Sequence, residues 1–346
     1  MRDLSDCKRL LVVKLSSLGD IVHVTPCLRA RRRYFPSAEI VMAVESQFAA
    51  VVRYNPHIDT LIESRFTDAG SFPLRVLQLL RDFRGTQIDV AIDFQGNKKS
   101  AAWIYGSQST VKAGRGGLRP GWTLPMQPNL QQHAVEVCIE IVNNLGIPVL
   151  QPDPEIFLSE RDDARVSSVL SDLKVPLEGF IIINPFSTWA SKMWPLDRYV
   201  QLMHRLRDEF HVPMVITGGP GEAAQAEELL GLLGPEIALS LVGKLTLGQT
   251  LCLYRRARLM VTSDSGPMHA AAALGTQTVA LFGPTLPERT GPWGKGHIVI
   301  QELRPTFHHA YLSDHDRQYI RAIGVQVVYD AVRSALHPHR STPHQR

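Results

Sequence analysis

The sequence predicts a two-lobed α/β fold in which each lobe is a doubly wound parallel sheet, and three observations carry that prediction. Short β-branched apolar runs alternate with longer helical stretches along the chain. The runs are continuously apolar, as strands buried on both faces require. The alternation occurs twice within 346 residues, a length suited to two domains of roughly 100–200 residues each.

In the first half, strands are expected at 10–14, 39–44, 60–63, 88–93 and 110–113, with helices at 21–34, 74–83 and 133–145. A proline-rich segment at 147–154 and a charged helix at 160–173 mark the boundary. The second half repeats the scheme, with strands at 180–184, 214–217, 239–242, 259–262 and 278–282. Its helices fall at 196–210, 222–233, 247–255 and 268–274. Such alternation builds Rossmann-like lobes. The expected organisation is an N-terminal domain over 1–160 and a C-terminal domain over 161–324 that opens with a linker helix at 161–176. The two face a central cleft. A terminal helix at 325–337 is expected to pack back on the N-terminal domain, and the polar tail at 338–346 to be disordered.

Composition narrows the function. With 44% hydrophobic and 20% charged residues, the chain can fill two cores, which excludes a disordered protein. No apolar run approaches the roughly 18 residues of a membrane helix. The N-terminus lacks the apolar stretch of a signal peptide, and no amphipathic anchor is evident. Four scattered cysteines without a Cys-x-x-Cys pair indicate neither a disulfide framework nor a thiolate metal site. The expectation is a cytoplasmic protein. A net charge of only +4, without a recognised motif, argues against a nucleic-acid partner. Yet residues 94–135 hold Lys98, Lys99, Lys112, Arg115 and Arg119 and no acid, which points to an anionic partner on the first lobe.

Ligands of open α/β sheets bind beyond the carboxyl ends of the strands, so the strand-to-helix turns are where chemistry is expected. The first turn is Lys14-Leu-Ser16-Ser17-Leu-Gly19-Asp20. Gly19 permits a tight turn, and Asp20 is either a helix N-cap or a carboxylate serving as general base. The turn Asn184-Pro-Phe-Ser187-Thr188-Trp189-Ala-Ser-Lys192-Met-Trp194-Pro195 places two hydroxyls and a lysine where phosphate oxygens bind well. The turn Asp264-Ser265-Gly266-Pro267-Met268-His269 opens a helix whose first amides suit an anion such as pyrophosphate. There Asp264 fits if it fixes the loop by accepting backbone hydrogen bonds, and His269 is either a phosphate donor or a core residue.

Two further patterns have competing readings. Gly219-x-Gly221-x-x-Ala224 matches a dinucleotide fingerprint, but the next strand ends without the acid that would hold a ribose. It reads better as a turn into a helix, with Glu222 as a cap or a ligand of ribose hydroxyls. Asp314-His-Asp316 has the spacing of a metal-binding pair, yet its charged context reads as a solvated helix entry, so no metal site is expected.

Taken together, these blocks resemble glycosyltransferase family 9, the ADP-heptose:lipopolysaccharide heptosyltransferases. The resemblance runs from Val13-Lys-Leu-Ser-Ser-Leu-Gly-Asp-Ile-Val-His-Val-Thr-Pro26 through Asn184-Pro and Lys192-Met-Trp-Pro195 to Asp264-Ser-Gly-Pro-Met-His269 and Leu281-Phe-Gly-Pro-Thr285. Asp93-Phe-Gln-Gly96 followed by Lys98-Lys99-Ser100 is closer to heptosyltransferase I, whereas 112–125 departs from that pattern.

The resemblance implies a GT-B fold and an inverting mechanism without a metal or other cofactor. It implies Asp20 as base, and Lys192 with the turn Asp264, Ser265, Gly266 and His269 around the donor pyrophosphate. Ser187 and Thr188 would line the phosphate pocket, and Glu222 would face the ribose. The co-substrate would be a nucleotide-sugar, ADP-heptose. An anionic Kdo-lipid A type acceptor would meet Ser17, Gly19, Lys98, Lys99, Arg115 and Arg119 at the cytoplasmic face of the inner membrane, where the protein would be peripheral. The rival readings are a family 9 enzyme with another donor or acceptor, a dinucleotide-dependent oxidoreductase, and a non-catalytic anion-binding module.

Overall fold

The computed structural model describes residues 7–64, 72–115, 121–234, 237–305 and 316–337. Arg119, Asp314 and the tail 338–346 lie outside them. The chain divides into two compact units, Met1–Phe157 and Leu158–Arg346.

The first unit runs β1 (Arg9–Val13), α1 (Leu18–Tyr34), β2 (Glu39–Glu45), β3 (Thr60–Ser64), α2 (Phe72–Asp82) and β4 (Val90–Asp93). It continues with α3 (Lys98–Gly106), β5 (Val111–Arg115), β6 (Leu124–Met126) and α4 (Ala134–Asn143). Its strands pair in parallel in the order β3-β2-β1-β4-β5-β6. The continuous apolar runs have their expected cause: Leu10, Leu11, Val12 and Val13 of β1 are all buried, covered from both faces.

Helix α1 is buried all round over residues 21–28. It also contains Pro26, which cannot donate to the carbonyl of Val22. The Thr25 hydroxyl donates to that carbonyl instead, at 2.8 Å, so the helix continues. Helix α3 and β6 were not expected from the sequence. An Asn97–Ser100 capping box starts α3, inside the stretch read only as a basic patch.

The second unit runs α5 (Glu160–Asp172), β7 (Ile181–Asn184), α6 (Leu196–Phe210), β8 (Met214–Ile216), α7 (Ala223–Leu233) and β9 (Leu239–Ser240). Then come α8 (Leu247–Arg256), β10 (Leu259–Ser263), α9 (Gly266–Ala273), β11 (Gln277–Leu281) and α10 (Pro287–Thr290). It ends with β12 (Ile298–Ile300), α11 (Arg317–Arg321) and α12 (Val325–Leu336). The sheet order is β12-β11-β10-β7-β8-β9. Read from β9, it repeats the order of the first sheet. In both sheets the chain direction of winding reverses between the first and fourth strands, β1/β4 and β7/β10, and this leaves a crevice at their carboxyl ends.

Helix α12 packs on α6 and on β10, β11 and β12 of the second unit. Val328, Val332 and Leu336 are buried in that unit's core, because the apolar stripe of α12 matches the sheet face that α6 leaves uncovered.

Candidate active site

At the switch point of the first sheet, the turn after β1 meets the turn after β4. The Ser16 amide donates to Gln95 Oε1 at 3.2 Å. Asp93, wholly buried at the end of β4, accepts from the amides of Gln95 and Gly96 at 2.8 and 2.9 Å and from the Ser100 hydroxyl at 2.8 Å. It thereby shapes the second turn. Gly114 of β5 lies against it: a Cβ there would stand 2.2 Å from the Asp93 carbonyl oxygen.

Ser17 is the N-cap of α1, and Asp20 stands at the third helical position rather than at the cap itself. Asp20 Oδ2 accepts from the Ser17 amide at 3.1 Å and from its hydroxyl at 2.9 Å. Lys14 Nζ, its side chain 5% exposed, lies 3.5 Å from Asp20 Oδ1, whereas the Asp20 side chain is 46% exposed and open to a reactant. Burial of its inner part would raise the Asp20 pKa. The charges of Lys14 and His23 and the two Ser17 hydrogen bonds outweigh that and bring it down to about 2.

Ser17 is exposed and Gly19 is buried in the first turn of α1. Lys98 and Lys99 occupy the first turn of α3, and Arg115 ends β5 with its side chain against Gly96. These five residues therefore share the carboxyl edge of one sheet, at β1, β4 and β5.

The second sheet holds the other expected residues in the turns after β7, β8 and β10. Lys192, in the turn after β7, donates to Asp264 Oδ2 at 2.6 Å, and the Thr285 hydroxyl after β11 donates to the same oxygen at 2.6 Å. The Asp264 side chain is 4% exposed and that of Lys192 15%. Asp264 thus ties three turns together through side chains, where hydrogen bonds from backbone amides were expected of it. Beside it Ser265 caps α9, Gly266 opens that helix, and His269 is buried in its second turn.

Ser187 accepts from the Trp189 amide at 3.3 Å, and Thr188 is exposed on the same turn. Glu222 acts as a cap: its Oε2 accepts from the Gly219 amide at 2.6 Å. Burial raises its pKa, and that hydrogen bond only partly offsets the rise. Gly218 is required here, because a Cβ would meet Glu222 Oε2 at 2.6 Å and the Phe186 ring at 2.8 Å. The turn 217–222 is therefore an entry into α7 that is tightly packed at Gly218 and open at Gly221.

Sequence reasoning missed Lys14, Asp93 and Gln95 as site residues. Lys14 carried a signal, a lysine ending an otherwise apolar strand. Among the described residues no group of three or more His, Cys, Asp or Glu side chains is placed to hold a metal ion. No described helix is long and apolar enough to cross a membrane.

Two Rossmann-like units of the same winding, each with polar turns gathered at the carboxyl ends of its strands, define the class: an α/β protein of GT-B fold. The chain belongs to glycosyltransferase family 9 (heptosyltransferase), whose family model matches residues 76–313. It is 28% identical over 308 residues to lipopolysaccharide heptosyltransferase 1 of Pseudomonas aeruginosa, covering 84% of this chain and 83% of that protein. Among solved structures, the family 9 glycosyltransferase of Veillonella parvula matches with a TM-score of 0.83 at 22% identity, covering 96% of this chain and 98% of the other. The Escherichia coli heptosyltransferase WaaC with ADP matches at 0.72 and 23% identity, covering 94% and 99%. Family membership sets aside the oxidoreductase reading of Gly219 to Ala224.

Proposed function

We propose that this glycosyltransferase is inverting and metal-independent and moves heptose from ADP-L-glycero-D-manno-heptose to the Kdo of the lipopolysaccharide inner core, the heptosyltransferase I step. The observation that carries the reading is the single carboxylate Asp20, held ionised by Lys14 and Ser17 at the mouth of the β1 turn. The relatives named for heptosyl transfer, and the ADP in one of them, support the donor.

The acceptor hydroxyl attacks the anomeric carbon on the face opposite the diphosphate. Its proton passes to Asp20 as the new C–O bond forms, and the bond to the diphosphate oxygen breaks with its electron pair leaving on ADP. A base with a pKa of about 2 suffices, because the attacking hydroxyl becomes strongly acidic once it is bonded to a cationic anomeric carbon. No acid is needed on the leaving side, since a nucleoside diphosphate departs as a stabilised anion. Lys192 and the opening amides of α9 offset the charge that grows there. Ser187 and Thr188 complete the phosphate pocket, His269 backs it, and Glu222, whose Oε1 is left over from capping, meets the ribose.

Ser17, Gly19, Lys98, Lys99, Arg115 and Arg119 receive the anionic acceptor, which is carried by a lipid. The enzyme accordingly works as a peripheral protein at the cytoplasmic face of the inner membrane. Purified protein with ADP-heptose and Kdo₂-lipid A should yield a product heavier by one heptose in mass spectrometry. An unchanged acceptor mass would refute the reading, and titration against ADP, UDP and GDP would then identify the nucleotide bound.

A further inference from the structure

Helix α2 has a face that the core does not explain. Val76, Leu79, Leu80 and Phe83 lie on its inner side, with Leu79 and Phe83 buried. On the opposite side Leu74 and Leu77 are 63% and 54% exposed, in line with exposed Gln78 and Arg81. At 100° per residue these four fall within one 100° arc. Such an arc on a surface helix is ordinarily polar, so two leucines standing in it are an unpartnered apolar pair.

Charge brackets the pair. Helix α2 packs along α3, with Leu79 against Gly106 so closely that a Cβ on the glycine would meet the leucine Cβ at 2.4 Å. Leu79 is the eighth residue of α2 and Gly106 the ninth of α3. Both helices run back from a parallel strand, so they lie in register and their first turns are neighbours. Lys98 and Lys99 therefore stand at the Leu74 end, and Arg81 and Arg84 stand at the other, with Asp82 the only acid of α2.

We propose that the outer face of α2 is a membrane-docking surface: Leu74 and Leu77 enter the headgroup boundary of an anionic bilayer, and the flanking basic side chains meet lipid phosphates. Apolar side chains bracketed by cations fit a lipid surface. The inference rests on the reading of a lipid-borne acceptor, and it adds which surface would seat the acceptor edge of the first sheet at the bilayer. A second copy of the chain is the competing occupant, and the test separates the two.

The experiment is flotation of the full-length protein with vesicles of phosphatidylglycerol and phosphatidylethanolamine, without any glycosyl acceptor. The native protein should float with these vesicles, less so as salt rises, and should not float with phosphatidylcholine alone. Leu74→Ser/Leu77→Ser should lower vesicle partition about tenfold or more, with ADP binding and thermal stability unchanged because both side chains are exposed. Arg81→Gln/Arg84→Gln should lower it too and flatten the salt dependence. Equal flotation of the leucine variant would overturn the proposal. So would a native dimer that this variant makes monomeric without altering flotation. Because the vesicles contain no acceptor, failure of heptosyl transfer would leave this result standing, and failure of flotation would leave the transfer reading standing.

Discussion

Lys14 Nζ stands 3.5 Å from Asp20 Oδ1, an almost fully buried ammonium beside a carboxylate that still faces out. The pair is built locally, by the end of β1 and the first turn of α1, and it helps hold the Asp20 pKa at about 2, below that of a free aspartate. Removing that charge is the first test. Asp20→Asn keeps the shape and the Ser17 contacts, and should lower transfer by about a thousandfold or more. ADP affinity, which the proposed function assigns to the second unit, should stay the same by calorimetry.

The pH dependence follows from the same pair. In the folded protein the Asp20 pKa is about 2, below the ~3.9 of an unfolded aspartate. The ionised side chain therefore contributes stability above about pH 4, and that contribution is lost as pH falls from about 4 toward about 2. Lys14→Met removes the strongest lowering influence, so the pKa rises relative to the native protein. The acid limb of kcat/KM should then move upward in pH relative to the native enzyme. An unmoved limb would mean that Lys14 does not control the base.

Lys192 and Asp264 form the corresponding pair in the second unit. Lys192→Ala should weaken ADP binding by at least about tenfold. It should also cost on the order of 3 kcal/mol of stability, because it leaves the Asp264 carboxylate buried and without its cation. The double variant Lys192→Met/Asp264→Asn should recover most of that stability but not the affinity. Calorimetry and thermal melts together separate the structural part of the pair from the phosphate-binding part.

Gly114 and Gly85 separate two reasons for keeping a glycine. Gly85 has φ +77° and open space around it, so Gly85→Ala should cost only about 1 kcal/mol of backbone strain. Gly114 has φ +120° and the Asp93 backbone 2.2 Å from a Cβ. Gly114→Ala should therefore cost about 3 kcal/mol or more, or prevent folding. Denaturant unfolding of the two variants reads the difference directly.

Much of the architecture could be read before any coordinate was known. Helices α6 and α12 begin and end where their apolar periodicity does. The long strands of both sheets fall on the continuous β-branched runs. β6 and β12, of three residues each, carry too few positions for any period to show. Helix α3 was hidden because its first turn is two lysines and its interior holds Trp103, Ile104 and Tyr105, residues of modest helix preference. Its start is set by the Asn97–Ser100 box.

The chemistry divides along the same line. Each polar turn could be found from local sequence alone, because a turn between a buried strand and a helix is punctuated by Gly, Pro, Ser and Asp, whose backbone preferences act over three or four residues. Folding in three dimensions settled which of these turns cooperate. Lys192, Asp264 and Thr285 come from three separate turns, and Ser16 reaches Gln95 across 79 positions. Such contacts arise only when parallel strands bring their carboxyl ends side by side, since no pattern of neighbours along the chain encodes a distance across a sheet.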